Sequence, residues 1–274
     1  MWKIVFSDID GTLLNKERQV SKKTLAAYDS IRDKADLVLI SSRMPNGMTY
    51  THKQFGVENM PLVCYNGGLV LRDGMNDFMD EGNILLDISI PWKTVAEVSD
   101  ILKDFEANYS VYSYNNWYTT KDDYWTKREE NNTQVKAKIV SPDFFRKNKT
   151  NAHKIMLMGR KEEMDTLYKN LEENYSELAL YRSKDTYIEI SHINTSKGLG
   201  VNHLLLIHFD EIEVEDTIAF GDNYNDIPLF EAVGYGMAVA NAKDELKEVA
   251  DFVSSFTNKE NAVAEFISDN LGYF

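Results

Sequence analysis

The chain has 274 residues, a length that favours two domains, and carries 44 acidic against 30 basic residues for a formal net charge of −14. This charge repels polyanions and no basic stripe offsets it, so we expect no nucleic-acid partner. No apolar stretch approaches the roughly twenty residues of a membrane span, and no basic segment precedes an apolar core near residue 1. We therefore expect a cytoplasmic protein with no membrane association.

The first predicted strand covers residues 2–7 and is followed at once by the sequence Asp-Ile-Asp-Gly-Thr. Asp8 would lie at the carboxyl end of this strand and Asp10 two residues later, where Gly11 lets the chain turn away. Two carboxylates placed in this way have the geometry of a nucleophile beside an acid or base. The alternative is an Asx turn that only closes the strand.

Two more strands are predicted in the first third of the chain. The elements are a helix over 21–35, a strand over 36–41, a helix over 45–55 and a strand over 61–65. At the tip of the second strand, Ser41 and Ser42 offer hydroxyl and N–H groups that can hold a phosphate oxygen. They can also be turn or capping residues alone. The single cysteine, Cys64, lies in an apolar run, where we expect a buried thiol and no disulfide.

The pattern changes between residues 83 and 188. Helical periodicity alternates there with Tyr- and Val-rich runs, the helices over 91–107 and 161–174 and the strands over 110–120, 136–140, 153–158 and 178–190. This predicts a separate α+β domain inserted between the two parts of the first domain. The predicted boundaries are 1–82, 83–188 and 189–274.

The inserted domain contains an aromatic and amide-rich stretch that could contact a ring or a sugar. Its members are Tyr112, Tyr114, Asn115, Asn116, Trp117 and Tyr118. The alternative for any one of them is that it fills one face of a strand. Because this domain is the part of the chain large enough to cover a crevice, we expect it to exclude water and to select the substrate. His153 and His192 are expected to be structural.

A helix predicted over 196–208 begins with Ser196 as its cap and Lys197 in its first turn. A lysine at this end opposes the helix dipole and is unfavourable unless an anion occupies the site. Lys197 is therefore a candidate phosphate ligand, although a solvated side chain is the commoner case for any single lysine.

The strand predicted over 216–221 ends in an acidic loop that contains Asp222, Asn225 and Asp226, and a last strand follows over 235–240. The alternation of strands and helices predicts a Rossmann-like, doubly wound parallel sheet, an α/β fold. Loops at the carboxyl ends of such strands converge on one crevice, so these carboxylates can meet Asp8 and Asp10. Crowded carboxylates repel one another unless a cation neutralises them, and ligands that are all oxygen favour Mg²⁺ over zinc. The loop by itself could be an ordinary helix start.

Four of these segments resemble, in order, the motifs of the haloacid dehalogenase superfamily. They are Asp8-Ile9-Asp10-Gly11-Thr12-Leu13-Leu14, Ile40-Ser41-Ser42-Arg43, Ser196-Lys197-Gly198 and Gly221-Asp222-Asn223-Tyr224-Asn225-Asp226. The chain is most similar to the Cof-type (class IIB) phosphatases, in which a large cap domain lies between the second and third motifs. The segment Tyr65-Asn66-Gly67-Gly68 also fits that subfamily. The second motif usually reads Thr-Gly-Arg, and the serine found here keeps the hydroxyl.

The resemblance implies a Mg²⁺-dependent phosphatase that acts on small phosphorylated metabolites, with sugar phosphates favoured, through a phosphoaspartyl intermediate. It implies that Asp8 is the nucleophile, Asp10 the acid and base, and Lys197 a charge-stabilising residue. The implied metal ligands are Asp8, the backbone carbonyl of Asp10, Asp222 and, in an orienting role, Asp226. The implied phosphate-binding residues are Thr12, Ser41, Ser42, Lys197 and Asn225, and Thr12 would also help to position Asp10.

The expected partner is a small phosphate ester, and the expected assembly is a monomer or a small homo-oligomer. One alternative is a phosphomutase of the same superfamily, which moves phosphate within a sugar. Another is a non-catalytic protein that binds a phosphorylated metabolite, although binding alone needs no second carboxylate beside Asp8.

Overall fold

The protein, described by a computed structural model over residues 2–74, 82–133 and 135–271, forms two compact units. One comprises Met1–Leu86 with Ser196–Phe274 and the other Asp87–Thr195. The units divide after residues 86 and 195, where the sequence predicts 82 and 188. The first difference arises because the strand Ile84–Asp87, which begins after residue 82, joins the sheet of the first unit, and the second because the strand Tyr187–His192 continues past residue 188.

Strands and helices follow one another throughout both units. In chain order the strands are β1 (Ile4–Asp8), β2 (Asp36–Ile40), β3 (Leu62–Cys64), β4 (Leu69–Leu71), β5 (Ile84–Asp87), β6 (Asn108–Ser113), β7 (Asn116–Thr119), β8 (Lys138–Ile139), β9 (Lys154–Met158), β10 (Leu178–Lys184), β11 (Tyr187–His192), β12 (Thr217–Gly221), β13 (Tyr235–Ala238) and β14 (Phe252–Val253). The α-helices are α1 (Lys22–Asp29), α2 (Pro45–Phe55), α3 (Trp92–Ile101), α4 (Tyr124–Thr133), α5 (Phe144–Asn148), α6 (Lys161–Asn174), α7 (Lys197–Ile207), α8 (Ile227–Glu231), α9 (Asp244–Val249) and α10 (Ala262–Asn270).

The first unit is built on one sheet with the strand order β14-β13-β12-β1-β2-β3-β4-β5. The strands from β14 to β3 are parallel, and β4 is antiparallel to β3. Strands covered on both faces need continuous apolar runs, and β1 and β12 are buried along their whole length. From β1 the chain proceeds to β2 on one side and later returns through β12 on the other. The carboxyl ends of β1 and β12 therefore form a topological switch point, where folds of this class bind ligands.

Of the three helices predicted in the first unit, those over 45–55 and 196–208 are observed close to their predicted bounds, the second as Lys197–Ile207. The helix predicted over 45–55 is observed as Pro45–Phe55. The helix predicted over 21–35 is wrong in its second half, because α1 ends at Asp29. The hydroxyl of Ser30 donates a hydrogen bond to the carbonyl of Ala27, a local bond that competes with helix continuation. Among the described residues, no helix combines the length and the apolar character that crossing a bilayer requires.

The second unit is an α+β domain with the strand order β10-β11-β9-β6-β7-β8. One face of this sheet packs against α3, α5 and α6, and alternate residues of β6, β9 and β11 supply its side of the core. Each of the runs predicted as a single strand, over 110–120 and over 178–190, is instead a hairpin. The chain reverses after Ser113 and after Lys184, so β6 pairs with β7 and β10 with β11.

Candidate active site

Asp8, the last residue of β1, is buried at the carboxyl end of the central strand. Its Oδ1 atom accepts a hydrogen bond from Nζ of Lys197 at 2.6 Å. Its Oδ2 atom is buried and has no hydrogen-bond partner among the described residues. Burial raises the pKa of Asp8 well above its usual value, the charge of Lys197 opposes this shift, and Asp226 and Asp222 add to it. The arrangement fixes one oxygen of Asp8 and leaves the other available to a ligand.

The chain turns sharply after Asp10 at Gly11, which has a φ of +91°. A Cβ atom at this position would lie 2.3 Å from Oδ2 of Asp222, so only glycine lets the loop pass so close to that carboxylate. Thr12 then donates a hydrogen bond from Oγ1 to Oδ1 of Asp222 at 3.1 Å. The hydroxyl of Thr12 thus holds Asp222 and not, as expected, Asp10, because the turn at Gly11 carries it towards the loop after β12.

Asp226 closes the acidic loop that follows β12. Its Oδ2 atom accepts hydrogen bonds from the backbone N–H groups of Asp222, at 2.9 Å, and of Asn223, at 3.0 Å. Its Oδ1 atom accepts a hydrogen bond from Nζ of Lys197 at 2.5 Å. Both oxygens of the fully buried Asp226 are therefore engaged within the protein, whereas Asp222 is only partly buried. Burial, and then the charge of Asp226, raise the pKa of Asp222 to about 6.

Lys197 is the first residue of α7, and it is fully buried. A buried ammonium group is costly unless it is paired, and Nζ of Lys197 bonds both Asp8 and Asp226. Burial alone would lower the pKa of Lys197, but Asp226 and Asp8 together raise it above its usual value. Lys197 thus remains charged and links the tip of β1 to the loop after β12.

The start of α7 is fixed by a cap and by a close approach to α8. Ser196 is the N-cap residue, and its Oγ atom accepts a hydrogen bond from the N–H of Leu199 at 3.1 Å. A Cβ atom on Gly198 would lie 2.1 Å from the carbonyl oxygen of Pro228. Only glycine therefore fits after Lys197, and this contact sets how far Lys197 reaches towards the two carboxylates.

Asp8, Asp222 and Asp226 each place one carboxylate oxygen within 4.8 Å of the others. The ammonium of Lys197 offsets one of three negative charges. A donor set made only of oxygen atoms, together with the unpartnered Oδ2 of Asp8, fits a hard divalent cation better than zinc, which prefers His and Cys ligands. Asp8 and Asp222 are the residues best placed to hold such a cation, because each accepts one side-chain hydrogen bond among the described residues whereas Asp226 accepts three.

Asp10 lies outside this carboxylate cluster and is exposed. Its Oδ2 and Oδ1 atoms accept hydrogen bonds from Nε and Nη2 of Arg43, both at 2.6 Å. Its Oδ1 atom also accepts a bond from Nη2 of Arg18 at 3.3 Å. The side chain of Asp10 is thus held by Arg43, and any contribution to a metal site would come from its backbone carbonyl.

The segment after β2 forms the other wall of the site. Ser41 is buried, and its Oγ atom accepts a hydrogen bond from the N–H of Arg43 at 3.2 Å. Its carbonyl accepts one from the N–H of Asn66 at 2.9 Å. Ser42 is half-buried in the same loop. The hydroxyl of Ser41 therefore also has a structural task, since it orients the chain at Arg43.

Asn225 contacts a residue that sequence reasoning did not assign. Its Nδ2 atom donates a hydrogen bond to Oδ1 of Asn66 at 2.9 Å. Asn66 and the preceding Tyr65 have φ values of +55° and +52°, a left-handed conformation that costs free energy in residues other than glycine. Strained backbone of this kind is concentrated at functional sites. The turn after β3 thus joins the loop after β2 to the loop after β12.

In the second unit, Tyr112 and Trp117 are buried, and their rings stack with centroids 5.5 Å apart. Their burial favours the alternative that they fill a face of the strand over direct contact with a substrate. Tyr114, Asn115 and Asn116 are half-buried at the β6–β7 turn. Tyr118 packs against two phenylalanines of the α5 region.

Both histidines of the second unit make local hydrogen bonds. Nδ1 of His153 accepts a hydrogen bond from the N–H of Tyr114 at 3.1 Å, and its Nε2 lies 3.1 Å from Oδ1 of Asp87. Nδ1 of His192 accepts a bond from the N–H of Asn194 at 3.2 Å. These are the structural roles that the sequence predicts.

The sequence pattern predicted that four residues lie close together, namely Asp8, Asp222, Asp226 and Lys197. It did not predict the hydrogen-bond partners of Asp10 and Asn225. Arg43 stands in the second motif, so its position was visible, but nothing in the sequence showed which carboxylate it meets. Arg18 lies in a polar turn with no motif. Asn66 was visible in the Tyr-Asn-Gly-Gly segment, where an asparagine before a glycine signals a left-handed turn.

A family profile described as haloacid dehalogenase-like hydrolase matches residues 5–267. The chain belongs to the haloacid dehalogenase-like hydrolase family. The predicted superfamily, the doubly wound fold and the assignment as a hydrolase are therefore confirmed. Members of this family generally use a divalent metal, which accords with the carboxylate cluster at the tips of β1 and β12.

Three similar proteins cover nearly the whole chain. A protein of Haemophilus influenzae, named provisionally as a phosphatase, is 29% identical over 274 residues, 99% of each chain. The 5-amino-6-(5-phospho-D-ribitylamino)uracil phosphatase YwtE of Bacillus subtilis is 30% identical over 291 residues, 98% of each chain. A crystal structure of a Thermotoga maritima protein has a TM-score of 0.87 at 26% identity and covers 98% of this chain and 97% of its own.

Proposed function

We propose that this member of the haloacid dehalogenase-like family is a Mg²⁺-dependent phosphatase that hydrolyses small phosphate monoesters through a phosphoaspartyl intermediate. The observation that carries the proposal is how the two carboxylate oxygens of Asp8 are bonded. Its Oδ1 is fixed by the buried Lys197, and its Oδ2 is buried without a partner among the described residues. A carboxylate held in this way at a topological switch point is suited to covalent catalysis.

In the first half-reaction, one oxygen of Asp8 attacks phosphorus. The new O–P bond forms as the P–O bond to the ester oxygen breaks. Asp10 gives its proton to that oxygen, so the product leaves as a neutral alcohol. In the second half-reaction, the carboxylate of Asp10 accepts a proton from water while the water oxygen attacks phosphorus. The bond to Asp8 then breaks, phosphate leaves and both carboxyl groups return to their starting states.

Phosphoryl transfer needs little covalent help, so most of the rate must come from positioning and electrostatics. Lys197 supplies a fixed positive charge beside Asp8, and its bond to Asp226 keeps that charge in place. Ser41, Ser42, Asn225 and Thr12 lie in the loops at the carboxyl edge of the sheet and are proposed to contact the phosphoryl oxygens. A bound Mg²⁺ would offset the repulsion among the carboxylates and stabilise the charge of the transferring group.

Small phosphorylated metabolites are the proposed substrates, and sugar phosphates are the favoured class. The names of the relatives support this choice, since one of them is a phosphatase of a phosphorylated ribityl compound. The proposed assembly is a monomer or a small homo-oligomer. The proposed domain boundaries place all four motifs in the first unit and leave the second unit, Asp87–Thr195, to act as the cap.

The test is phosphate release from a panel of phosphorylated sugars, nucleotides and vitamins. Asp8→Asn should abolish release and also the acid-stable, hydroxylamine-sensitive phosphoenzyme, because an amide is a poor nucleophile. The matched control is Asp29→Asn, which changes an exposed carboxylate that pairs with Arg32. Wild-type turnover by Asp8→Asn would refute the covalent mechanism. Isomerisation of a sugar phosphate that needs a bisphosphate activator and releases no phosphate would instead indicate a mutase.

A further inference from the structure

Arg43 makes a two-point contact with Asp10 that the proposed mechanism does not use. Nε and Nη2 of Arg43 each donate to a different oxygen of Asp10, both at 2.6 Å. A planar guanidinium paired with a carboxylate in this way fixes the orientation of the carboxylate as well as its position. The side chain of Arg43 is 23% exposed and that of Asp10 is 43% exposed, so the pair lies at the edge of the site.

Arg43 is itself held from several directions. Its Nη1 atom donates to the carbonyl of Gly47 at 2.9 Å, in the first turn of α2. Its backbone N–H donates to Oγ of Ser41, and its carbonyl accepts a hydrogen bond from the N–H of Tyr65 at 3.1 Å. The backbone of Arg43 is thus fixed by two bonds and its guanidinium by the bond to Gly47, so the side chain acts as a support for Asp10.

Asp10 has little other support. It follows the end of β1 and precedes the sharp turn at Gly11, and its further side-chain bond, to Arg18 at 3.3 Å, comes from a residue whose side chain is 61% exposed. An acid and base that serves two half-reactions must face first the leaving oxygen and then the attacking water. Each carboxylate oxygen has two lone pairs, so Asp10 can remain bonded to Arg43 and still exchange a proton with a third group.

We infer that Arg43 is a positioning residue that aims the carboxylate of Asp10 at the leaving oxygen and the attacking water. This inference rests on the proposed function. Arg43 acts through Asp10 and does not bind the phosphoryl group. Its loss should therefore matter most where proton donation matters most, which is with esters whose leaving group is a poor one.

The test compares kcat/KM for a series of substituted phenyl phosphates that differ in leaving-group pKa, since this ratio reports the step in which the ester bond breaks. Arg43→Ala should reduce kcat/KM about 10- to 100-fold for the poorest leaving groups and less than about 3-fold for the best. Arg43→Lys keeps the charge but loses the two-point contact, so it should restore only part of this loss. Arg18→Ala should reduce kcat/KM less than about 3-fold throughout.

The decisive comparison is made in an Asp10→Asn background. If Arg43 acts through Asp10, adding Arg43→Ala to Asp10→Asn should reduce kcat/KM less than about 2-fold further. Arg32→Ala, which also breaks an Arg–Asp pair of the first unit, is the matched control and should leave the leaving-group dependence unchanged. Thermal unfolding of each variant checks that the fold is intact.

Four results would overturn the inference. Equal loss across the series, or a full further loss in the Asp10→Asn background, would mean that Arg43 binds the substrate or only supports the loop. Wild-type protein that releases phosphate from no ester, in this series or in the metabolite panel, would refute the proposed function and this inference with it. Wild-type turnover with unchanged leaving-group dependence in Arg43→Ala would refute the inference alone.

Discussion

Replacing His52 tests whether this buried histidine makes the free energy of unfolding fall at acidic pH. His52 lies in α2, is fully buried, and neither of its ring nitrogens has a hydrogen-bond partner among the described residues. Burial lowers the pKa of His52 to about 4, and the charges of Glu58 and Asp73 oppose this shift only in part. The folded protein therefore holds a neutral imidazole at neutral pH.

The pH dependence of stability is set by the difference in proton binding between the folded and the unfolded state. In the unfolded chain a histidine titrates near pH 6.5, so between about pH 6.5 and pH 4 the unfolded state binds a proton that the folded state does not. Stability is then lost as the pH falls through this window, and no loss arises above it. One pKa unit corresponds to about 1.4 kcal/mol, so the loss from His52 is about 2 kcal/mol at pH 5 and about 3 kcal/mol once the pH is below 4.

The substitution His52→Met has a similar volume and removes the titration. It also removes two unpaired buried polar atoms, which should stabilise the fold by about 1 to 3 kcal/mol at pH 8. Urea unfolding followed by circular dichroism at pH 8 and pH 5 measures both effects. The wild type should lose about 2 kcal/mol more than His52→Met between the two pH values. The control Met48→Leu, buried on the same helix, should show the wild-type loss. Equal losses in the wild type and His52→Met would refute the reasoning.

Three further outcomes are expected. Activity should vanish with a chelator and return with Mg²⁺ but little with Ca²⁺, whose looser coordination misplaces the phosphate; full activity in metal-free protein would contradict the role given to Asp222. In chelator, Lys197→Ala should lower the free energy of unfolding by about 3 to 5 kcal/mol, because it leaves buried carboxylates without their cation, and with Mg²⁺ present it should also lower phosphate release; urea unfolding in chelator and a phosphate assay with Mg²⁺ test this. Trp117→Ala should cost about 3 to 5 kcal/mol in the same unfolding assay with unchanged substrate preference, since its ring is packed against Tyr112; altered preference with normal stability would contradict this.

The sequence was most informative where local pattern and chemistry coincide. The apolar run of β1 followed by Asp8 and Gly11 predicted both a strand and a carboxylate at its tip, and the topology of a parallel sheet placed Asp222 beside it. Cys64 was predicted as a buried core thiol, and it is free and fully buried. These inferences depend on short-range periodicity and on a rule of topology, and neither needs side-chain coordinates.

The sequence was least informative where a side chain chooses between neighbours. Thr12 could have bonded Asp10 or Asp222, and only the turn at Gly11 decides the matter. Tyr112 and Trp117 looked suited to recognition because aromatic residues serve both cores and binding sites. Every residue of β6 is buried, so both faces of this strand are covered, and alternation alone does not predict that.

The three clustered carboxylates have different roles, which follow from the hydrogen bonds that each one accepts. Asp226 accepts two backbone N–H bonds and one from Lys197, so its charge holds the loop and the lysine in place. Asp222 accepts one bond, from Thr12, and Asp8 accepts one, from Lys197, among the described residues. Asp8 and Asp222 therefore keep three lone pairs each for a ligand, whereas Asp226 keeps one and serves mainly to hold the loop and Lys197 in place. A second motif that reads Ser-Ser-Arg is compatible with this division, because the hydroxyl of Ser41 and the guanidinium of Arg43 support the opposite side of the crevice without competing for those lone pairs.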